Sequence, residues 1–315
     1  MSEQSSSRGS TERVLVFTAT YNERDNIERF CDAVLAIDPN YDILVVDDGS
    51  PDGTGEFLQR LSENEPRVRV IHRTRKMGLG SAHKISMLHA LKTEYPVLVT
   101  MDADFSHEPS DIPKLVAALD GVDFVIGSRH MKGGSIEYPR HRVLISVVAN
   151  ILARHLLGVR LHEFTTSYRA FRVPIFADLD FSNIRSQGYS FFFESVFRIH
   201  QRDFRYREVP IHFRDRTHGS SKIPRFEILR GAANLFRLFL SRLIPIKSKI
   251  PRQSLWYGHC ESCGSPYLVV QPKSRFDPSA PTTVACLACV FKFCPEDAIP
   301  GVTESATRVH SSEKM

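Results

Sequence analysis

Short apolar runs alternate with amphipathic stretches through the first part of the chain. Val14-Leu15-Val16-Phe17, Ile43-Leu44-Val45-Val46, Val68-Arg69-Val70-Ile71, Val97-Leu98-Val99-Thr100 and Phe124-Val125-Ile126 each read as a short buried strand. Between the first two, Ile27, Phe30, Val34 and Ile37 recur at helical spacing. A second helical pattern follows Gly78-Leu79-Gly80 and runs through Ala90. Strands separated by helices predict an α/β fold, a mostly parallel sheet with helices on both faces. In such sheets ligands bind outside the carboxyl ends of the strands. Glu23, Asp48 and the pair Asp102/Asp104 all follow strand ends. They are expected to converge on one crevice.

Asp102-Ala103-Asp104 leaves the fourth strand with both carboxylates on one side of the chain, because side chains alternate with a period of two. That arrangement suits a hard divalent cation, which takes oxygen ligands and keeps room for water and phosphate. Taken alone, the same two residues also fit a solvated turn. Three acidic loops at one edge repel an anion unless a metal inverts the local charge. A nucleoside diphosphate carried on a divalent cation meets that condition. Gly78-Leu79-Gly80 is too short for a dinucleotide fingerprint, and no P-loop lysine motif occurs.

Together, Ala19-Thr20-Tyr21-Asn22-Glu23, Asp47 to Thr54, Gly78-Leu79-Gly80, Asp102-Ala103-Asp104 and Gly127-Ser128-Arg129 resemble the ordered motifs of family 2 glycosyltransferases of the GT-A fold. Gly188-Tyr189-Ser190-Phe191, Glu208-Val209-Pro210-Ile211 and Asp215 to Lys222 extend the resemblance to the dolichol-phosphate and polyprenol-phosphate mannosyltransferases. The resemblance covers residues 13–243 and implies transfer of mannose from GDP-mannose to a polyprenyl phosphate by single displacement with inversion. It assigns the donor to Ala19, Tyr21, Glu23, Val46, Asp48, Asp102, Ala103, Asp104, Arg216 and Lys222. Asp102 and Asp104 would hold Mg2+ or Mn2+. Asp104, Arg129, Arg216 and Lys222 would carry catalysis, and Arg129, Arg142 and Ser167 would meet the acceptor. A phosphate acceptor is already anionic, so no general base is required. Three departures stand out: Ala19 for a proline, Ser106 where some relatives carry a further metal-side ligand, and Glu163-Phe164-Thr165-Thr166-Ser167-Tyr168-Arg169 for the usual Asp-x-Thr-Ser-Gly-Phe-Arg. A UDP-sugar donor or a hydroxyl acceptor is the alternative within the fold. A catalytically silent scaffold is the alternative outside it, disfavoured by the intact acidic and basic motif residues.

Two segments bear on a lipid acceptor. His141 to Leu157 is mostly apolar with basic ends, fitting either an interfacial helix or a buried one. In Phe226 to Leu243, Glu227, Arg230, Asn234, Arg237 and Ser241 form a narrow polar stripe. That leaves Ile228, Leu229, Leu235, Phe236, Leu238, Phe239, Leu240 and Leu243 on one broad apolar face. Such a helix lies in a bilayer interface, or packs on its own domain or a second copy. The formal charge is only +5, but residues 184–252 hold fifteen Lys/Arg against five Asp/Glu, a basic face for an anionic substrate or membrane surface. No apolar run is long enough to span a bilayer. Residues 1–11 read as a polar, disordered lead-in rather than a secretory signal. The expected setting is the cytoplasmic face of a membrane.

Beyond the transferase unit, residues 12–245, and a basic linker at 246–252, Cys260-x-x-Cys263 and Cys286-x-x-Cys289 are separated by twenty-two residues. This spacing predicts a four-cysteine structural zinc site in a small ribbon, residues 253–300, followed by a disordered tail, 301–315. Two disulfides are the alternative, which a reducing compartment opposes. Cys31 reads as a small core residue. Residues 253–315 carry five Lys/Arg against six Asp/Glu, so nucleic acid is not an expected partner of the ribbon; a protein contact or an intrachain cap on the transferase unit is.

Overall fold

A computed structural model describes residues 12–179, 181, 184, 186, 188–214 and 225–243, together with the backbone strand segments 255–257, 267–271, 283–286 and 292–293. In chain order the elements are β1 (Val14–Thr20), α1 (Arg24–Leu35), β2 (Tyr41–Asp47), α2 (Thr54–Asn64), β3 (Val68–His72), α3 (Leu79–Lys92), β4 (Val97–Thr100), α4 (Ile112–Ala117) and β5 (Phe124–Ser128). They continue with β6 (Ser135–Ile136), α5 (Arg140–Leu157), β7 (Arg169–Arg172), α6 (Ser190–His200), β8 (Tyr206–Pro210), β9 (His212–Phe213) and α7 (Arg225–Arg242).

Seven strands form the central sheet in the order β3-β2-β1-β4-β7-β5-β8. Neighbours run parallel except at β7, which is antiparallel to both β4 and β5. The five strands expected from the apolar runs are present, and all seven residues of β2 are buried, as a strand covered on both faces requires. One face carries Phe17, Leu44, Leu98, Phe124 and Phe171 against α3, α5 and α6. The other carries Val16, Ile43, Val99 and Val125 against Ile27 and Phe30 of α1 and Leu115 of α4. Cys31 is buried in this second layer, and burial pushes its thiol up to about 12. Ile37 lies just beyond the end of α1 and still packs on the core.

The parallel registers put the ends of β1, β2 and β4 side by side, with Thr20 opposite Asp47 and Phe17 opposite Thr100. The three acidic loops therefore do leave one edge of the sheet. β7 carries Arg169 to that edge from the opposite direction. Arg169 is fully buried, yet its guanidinium donates to the carbonyls of Thr166, Phe164 and Phe192 and to the Ser195 hydroxyl. Burial lowers it to about 9.

α7 does not present the single apolar face expected of it. Leu235 and Leu238 turn into the core, whereas Phe236, Leu240 and Leu243 face out. Arg237 pairs with the buried carboxylate of Glu194 in α6 at 3.0 Å, tying α7 to the domain. Among the described residues no helix is long and apolar enough to cross a membrane.

Further along, β10 (Leu255–Tyr257), β11 (Tyr267–Gln271), β12 (Thr283–Cys286) and β13 (Lys292–Phe293) form an antiparallel sheet in that order. Cys286 ends β12 opposite Leu268. Cys260, Cys263 and Cys289 lie outside the described residues, as does the side chain of Cys286.

Candidate active site

The loops after β1 and β2 are stitched together. Thr20 Oγ1 donates to Asp47 Oδ1 at 2.8 Å, and the Ser50 N–H donates to Asp47 Oδ2 at 3.0 Å. The backbone N–H groups of Asn22, Glu23 and Arg24 in turn donate to Ser50 Oγ, Thr54 Oγ1 and Asp52 Oδ2. Gly49 sits at φ +69°, and a Cβ there would come 3.0 Å from the Arg73 carbonyl. Only glycine meets both conditions.

Asp48 is buried, with its Oδ2 accepting the N–H groups of Met77 and Gly78 at 3.2 Å each and its Oδ1 against the guanidinium of Arg73. Burial raises its carboxyl above the ordinary value, opposed by Arg73 and the two N–H groups. Asp48 thus ties the loop after β3 to the end of β2. Tyr21 is exposed, with the Lys76 ammonium 4.2 Å from its ring centroid. Glu23 accepts from Asn26 Nδ2 at 2.8 Å. Val46 is sealed in the core and paired on both sides in the sheet, with Ala19 half-buried beside it. A separate depression of about 460 Å3 opens behind the β2 loop, between Asp47, Gly55, His72 and Arg73; Tyr21, Asp102 and Asp104 do not border it.

On the other side of β1, Asp102 is half-buried and Asp104 buried. Ala103 between them packs into the core beneath. Phe105 adopts a left-handed φ of 58°, a costly conformation for an aromatic residue, and its ring lies 4.9 Å from the Arg29 guanidinium. This turn brings Ser106 back onto Asp104, whose Oδ1 accepts the Ser106 N–H at 3.0 Å and its hydroxyl at 2.6 Å. Ser106 therefore orients a carboxylate. Two carboxylates on alternate positions form a hard-oxygen donor set that fits Mg2+ or Mn2+. Among the described residues no third His, Cys, Asp or Glu joins them.

Arg129, at the exit of β5, donates from Nε to Glu163 Oε2 at 2.9 Å and from Nη2 to Thr165 Oγ1 at 2.8 Å. Its positive charge is thereby offset by a buried carboxylate, a contact that motif spacing does not reveal. Glu163 stays below the ordinary carboxylate range: burial raises it, and Arg129, His130 and Thr165 more than reverse that. Glu208 accepts the N–H groups of His162 and Glu163 at 2.8 and 3.0 Å, which gives the Glu208-Val209-Pro210-Ile211 motif a physical role. Ser167 is buried; its carbonyl accepts from Thr100 Oγ1, and its hydroxyl makes no hydrogen bond among the described residues. Arg142 lies in the first turn of α5, with its side chain outside the described residues. Arg216 and Lys222 also lie outside them.

The start of α3 presses on the start of α6. A Cβ on Gly80 would meet Phe191 Cβ and the Ser186 carbonyl at 3.0 Å each. Next to this contact α5 and α7 pack on one another. Leu144, Ile145, Val148, Ile151 and Leu152 of α5, Phe236 and Leu240 of α7, and Leu243 just after it are exposed. Their buried residues, among them Asn150, Ala153, Leu235 and Leu238, face the domain.

Residues 15–180 match glycosyl transferase family 2. The chain is 44% identical over 216 residues to a polyprenol monophosphomannose synthase of Mycolicibacterium smegmatis, covering 68% of this chain and 82% of the relative. It is 41% identical over 216 residues to an undecaprenyl-phosphate mannosyltransferase of Micrococcus luteus, covering 67% and 87%. Among solved structures, glucosyl-3-phosphoglycerate synthase from Mycobacterium tuberculosis, in complex with Mn2+, UDP and glucosyl-3-phosphoglycerate, superposes with a TM-score of 0.53 at 20% identity. That match covers 81% of this chain and 91% of the other, a likeness of fold.

Proposed function

Because the chain belongs to glycosyl transferase family 2 and is a glycosyltransferase, we propose that it moves mannose from GDP-mannose to a polyprenyl phosphate. The observation that carries this reading is identity of 41–44% to two relatives that each join mannose to a polyprenyl phosphate, over most of their length. The geometry agrees with it. The loops after β1, β2 and β3 are tied to one another by hydrogen bonds, and Asp102 and Asp104 follow the neighbouring strand β4 at the same edge of the sheet.

In this reading Tyr21, Glu23 and the loop held by Asp48 seat the nucleoside, while Val46, Ala19 and Ala103 shape the floor. Asp102 and Asp104 hold the divalent cation, which when bound stabilises the departing diphosphate as a Lewis acid. Arg216 and Lys222 supply further positive charge to that diphosphate. Arg129, Arg142 and Ser167 receive the acceptor phosphate, whose oxygen attacks the anomeric carbon from the face opposite the leaving group and inverts it. The acceptor is anionic near neutral pH, so no side chain has to remove a proton. The protein contributes position and fixed charge.

The exposed apolar faces of α5 and α7 rest on a membrane in the manner of interfacial helices, placing the enzyme peripherally at the cytoplasmic face, where its acceptor is anchored. Residues 253–300 form a zinc ribbon on Cys260, Cys263, Cys286 and Cys289, a separate module joined by the 246–252 linker and suited to a protein contact. The antiparallel pairing of β10 to β13 and the position of Cys286 at a strand end support it.

The test is incubation with labelled GDP-mannose or UDP-glucose and a short polyprenyl phosphate. Label is expected in the lipid phase from GDP-mannose. Lipid label from UDP-glucose alone would overturn the donor assignment, and label from neither would overturn the acceptor.

A further inference from the structure

Glu163 is fully buried, and five groups converge on its carboxylate. Oε2 accepts from Arg129 Nε at 2.9 Å and lies 3.6 Å from His130 Nε2. Oε1 accepts the Thr165 N–H at 2.8 Å, the Thr165 hydroxyl at 2.6 Å and Asn150 Nδ2 at 3.4 Å. The backbone on either side is held as firmly. Glu208 of β8 accepts the N–H groups of His162 and Glu163, and Asn150 of α5 accepts that of Phe164 at 2.9 Å.

The consequence falls on Arg129. Its guanidinium is gripped at Nε by Glu163, at Nη2 by Thr165 Oγ1, and across one face by the Phe213 ring, 4.5 Å from centroid to guanidinium carbon. Three contacts in different directions fix the plane of the group. Thr165 Oγ1 links the two charged groups, donating to Glu163 and accepting from Arg129. An arginine whose plane is set before an anion arrives recognises phosphate oxygens without first losing rotamer freedom.

We propose that Glu163 is a positioning residue for the acceptor: its buried carboxylate, braced by Thr165 and by Asn150 of α5, fixes the guanidinium of Arg129 in the orientation that receives the acceptor phosphate. This rests on the reading that Arg129 meets that phosphate. The effect is on acceptor recognition; donor binding by the loops after β1, β2 and β4 does not depend on it.

The experiment compares wild type, Glu163→Gln, Glu163→Asp and Thr165→Val in the full chain. It measures KM for a short polyprenyl phosphate, KM for GDP-mannose, kcat at saturating acceptor, and thermal midpoint. Glu163→Gln keeps the shape and removes the charge. It is expected to raise the acceptor KM about ten-fold or more, the scale of one charge-assisted hydrogen bond, with donor KM unchanged and kcat within a few-fold. Glu163→Asp recovers part of that loss. Thr165→Val leaves the buried carboxylate in place and carries the test if Glu163→Gln does not fold; it is expected to raise the acceptor KM about three-fold or more through loss of the linking hydroxyl. An unchanged or lowered acceptor KM in these variants would overturn the proposal, as would a parallel fall of every parameter with the thermal midpoint. Failure of the underlying reading is distinct, because wild type would then put no label into lipid.

Discussion

Asp48 and Arg73 form a buried ion pair, the arginine side chain fully enclosed and the carboxylate 8% exposed. It locks the loop after β3 onto the end of β2, because the same carboxylate also holds the N–H groups of Met77 and Gly78. Removing one partner strands the other charge in the interior. Arg73→Leu is expected to cost about 3–5 kcal/mol in urea unfolding at pH 7. Adding Asp48→Asn to that variant should recover at least about 1 kcal/mol. Strict additivity of the two single changes would show that the pair does not couple.

The Ser106 hydroxyl and backbone N–H both donate to the Asp104 carboxylate and orient it. Loss of a group that orients a metal ligand typically weakens metal affinity by about 10–100-fold. Ser106→Ala should therefore raise the Mn2+ concentration for half-maximal transfer by that factor and leave the maximal rate near wild type. Asp104→Ala should abolish transfer at any metal concentration while the circular dichroism spectrum stays native. Normal turnover in Asp104→Ala with metal supplied would remove the metal assignment.

His83 sits in α3 against Phe17, Phe191 and Phe192, and burial lowers it to about 3 from an ordinary 6.5. The folded protein keeps this ring neutral, whereas the unfolded chain takes up a proton below pH 6.5. Stability from this group is complete above that value and is lost as pH falls from 6.5 towards about 3. At pH 5 the loss amounts to about 2 kcal/mol. Stability measured from pH 7 to 5 should fall less steeply in His83→Leu than in wild type, whatever the variant's absolute stability. Equal slopes would place the acid sensitivity elsewhere.

Outward residues of α5 and α7 should carry membrane binding. Phe236 and Leu243 are 58% and 64% exposed, and Leu144 is 64% exposed. A large apolar side chain moved fully out of water gains about 1.5–3 kcal/mol. With roughly 60% of each left to bury, Phe236→Ser with Leu243→Ser should thus lower partitioning onto phospholipid vesicles by about 20–400-fold in flotation. Unchanged flotation would assign these faces to another contact.

The four-cysteine reading predicts one zinc per chain by metal analysis of the purified protein, lost in a Cys263→Ser, Cys286→Ser double variant. A metal-free wild-type protein would exclude it.

The strands up to β5 were legible because they are short apolar runs with loop formers between them. Their parallel order then placed Glu23, Asp48, Asp102 and Asp104 at one edge. β7 was hidden because Arg169-Ala170-Phe171-Arg172 begins and ends with a charged residue. Its burial depends on carbonyls of Thr166, Phe164 and Phe192, which only the folded chain brings to Arg169. The hub at Glu163 was equally hidden. Its partners Arg129 and Asn150 lie 34 and 13 residues away, and no local pattern encodes that meeting. In α7 helical periodicity found the apolar residues. It did not say which side the domain covers: Leu235 and Phe236 point about 100° apart on the helix, and only the Leu235 side is buried where α5 and α6 pack on α7.

The placement of β7 also governs how the protein is made. β4 pairs with β1 on one side and β7 on the other, so its second edge lacks a backbone partner until Arg169–Arg172 has been synthesised. Roughly seventy residues separate them, and at ribosomal speed that interval lasts about 4–14 s. Throughout it, an apolar strand next to Asp102 and Asp104 presents open N–H and C=O groups, the configuration most prone to pair with another nascent chain. Yield of native enzyme should therefore depend on chaperones that occupy the ribosome exit during this window, and refolding from denaturant should lose material to aggregation as protein concentration rises.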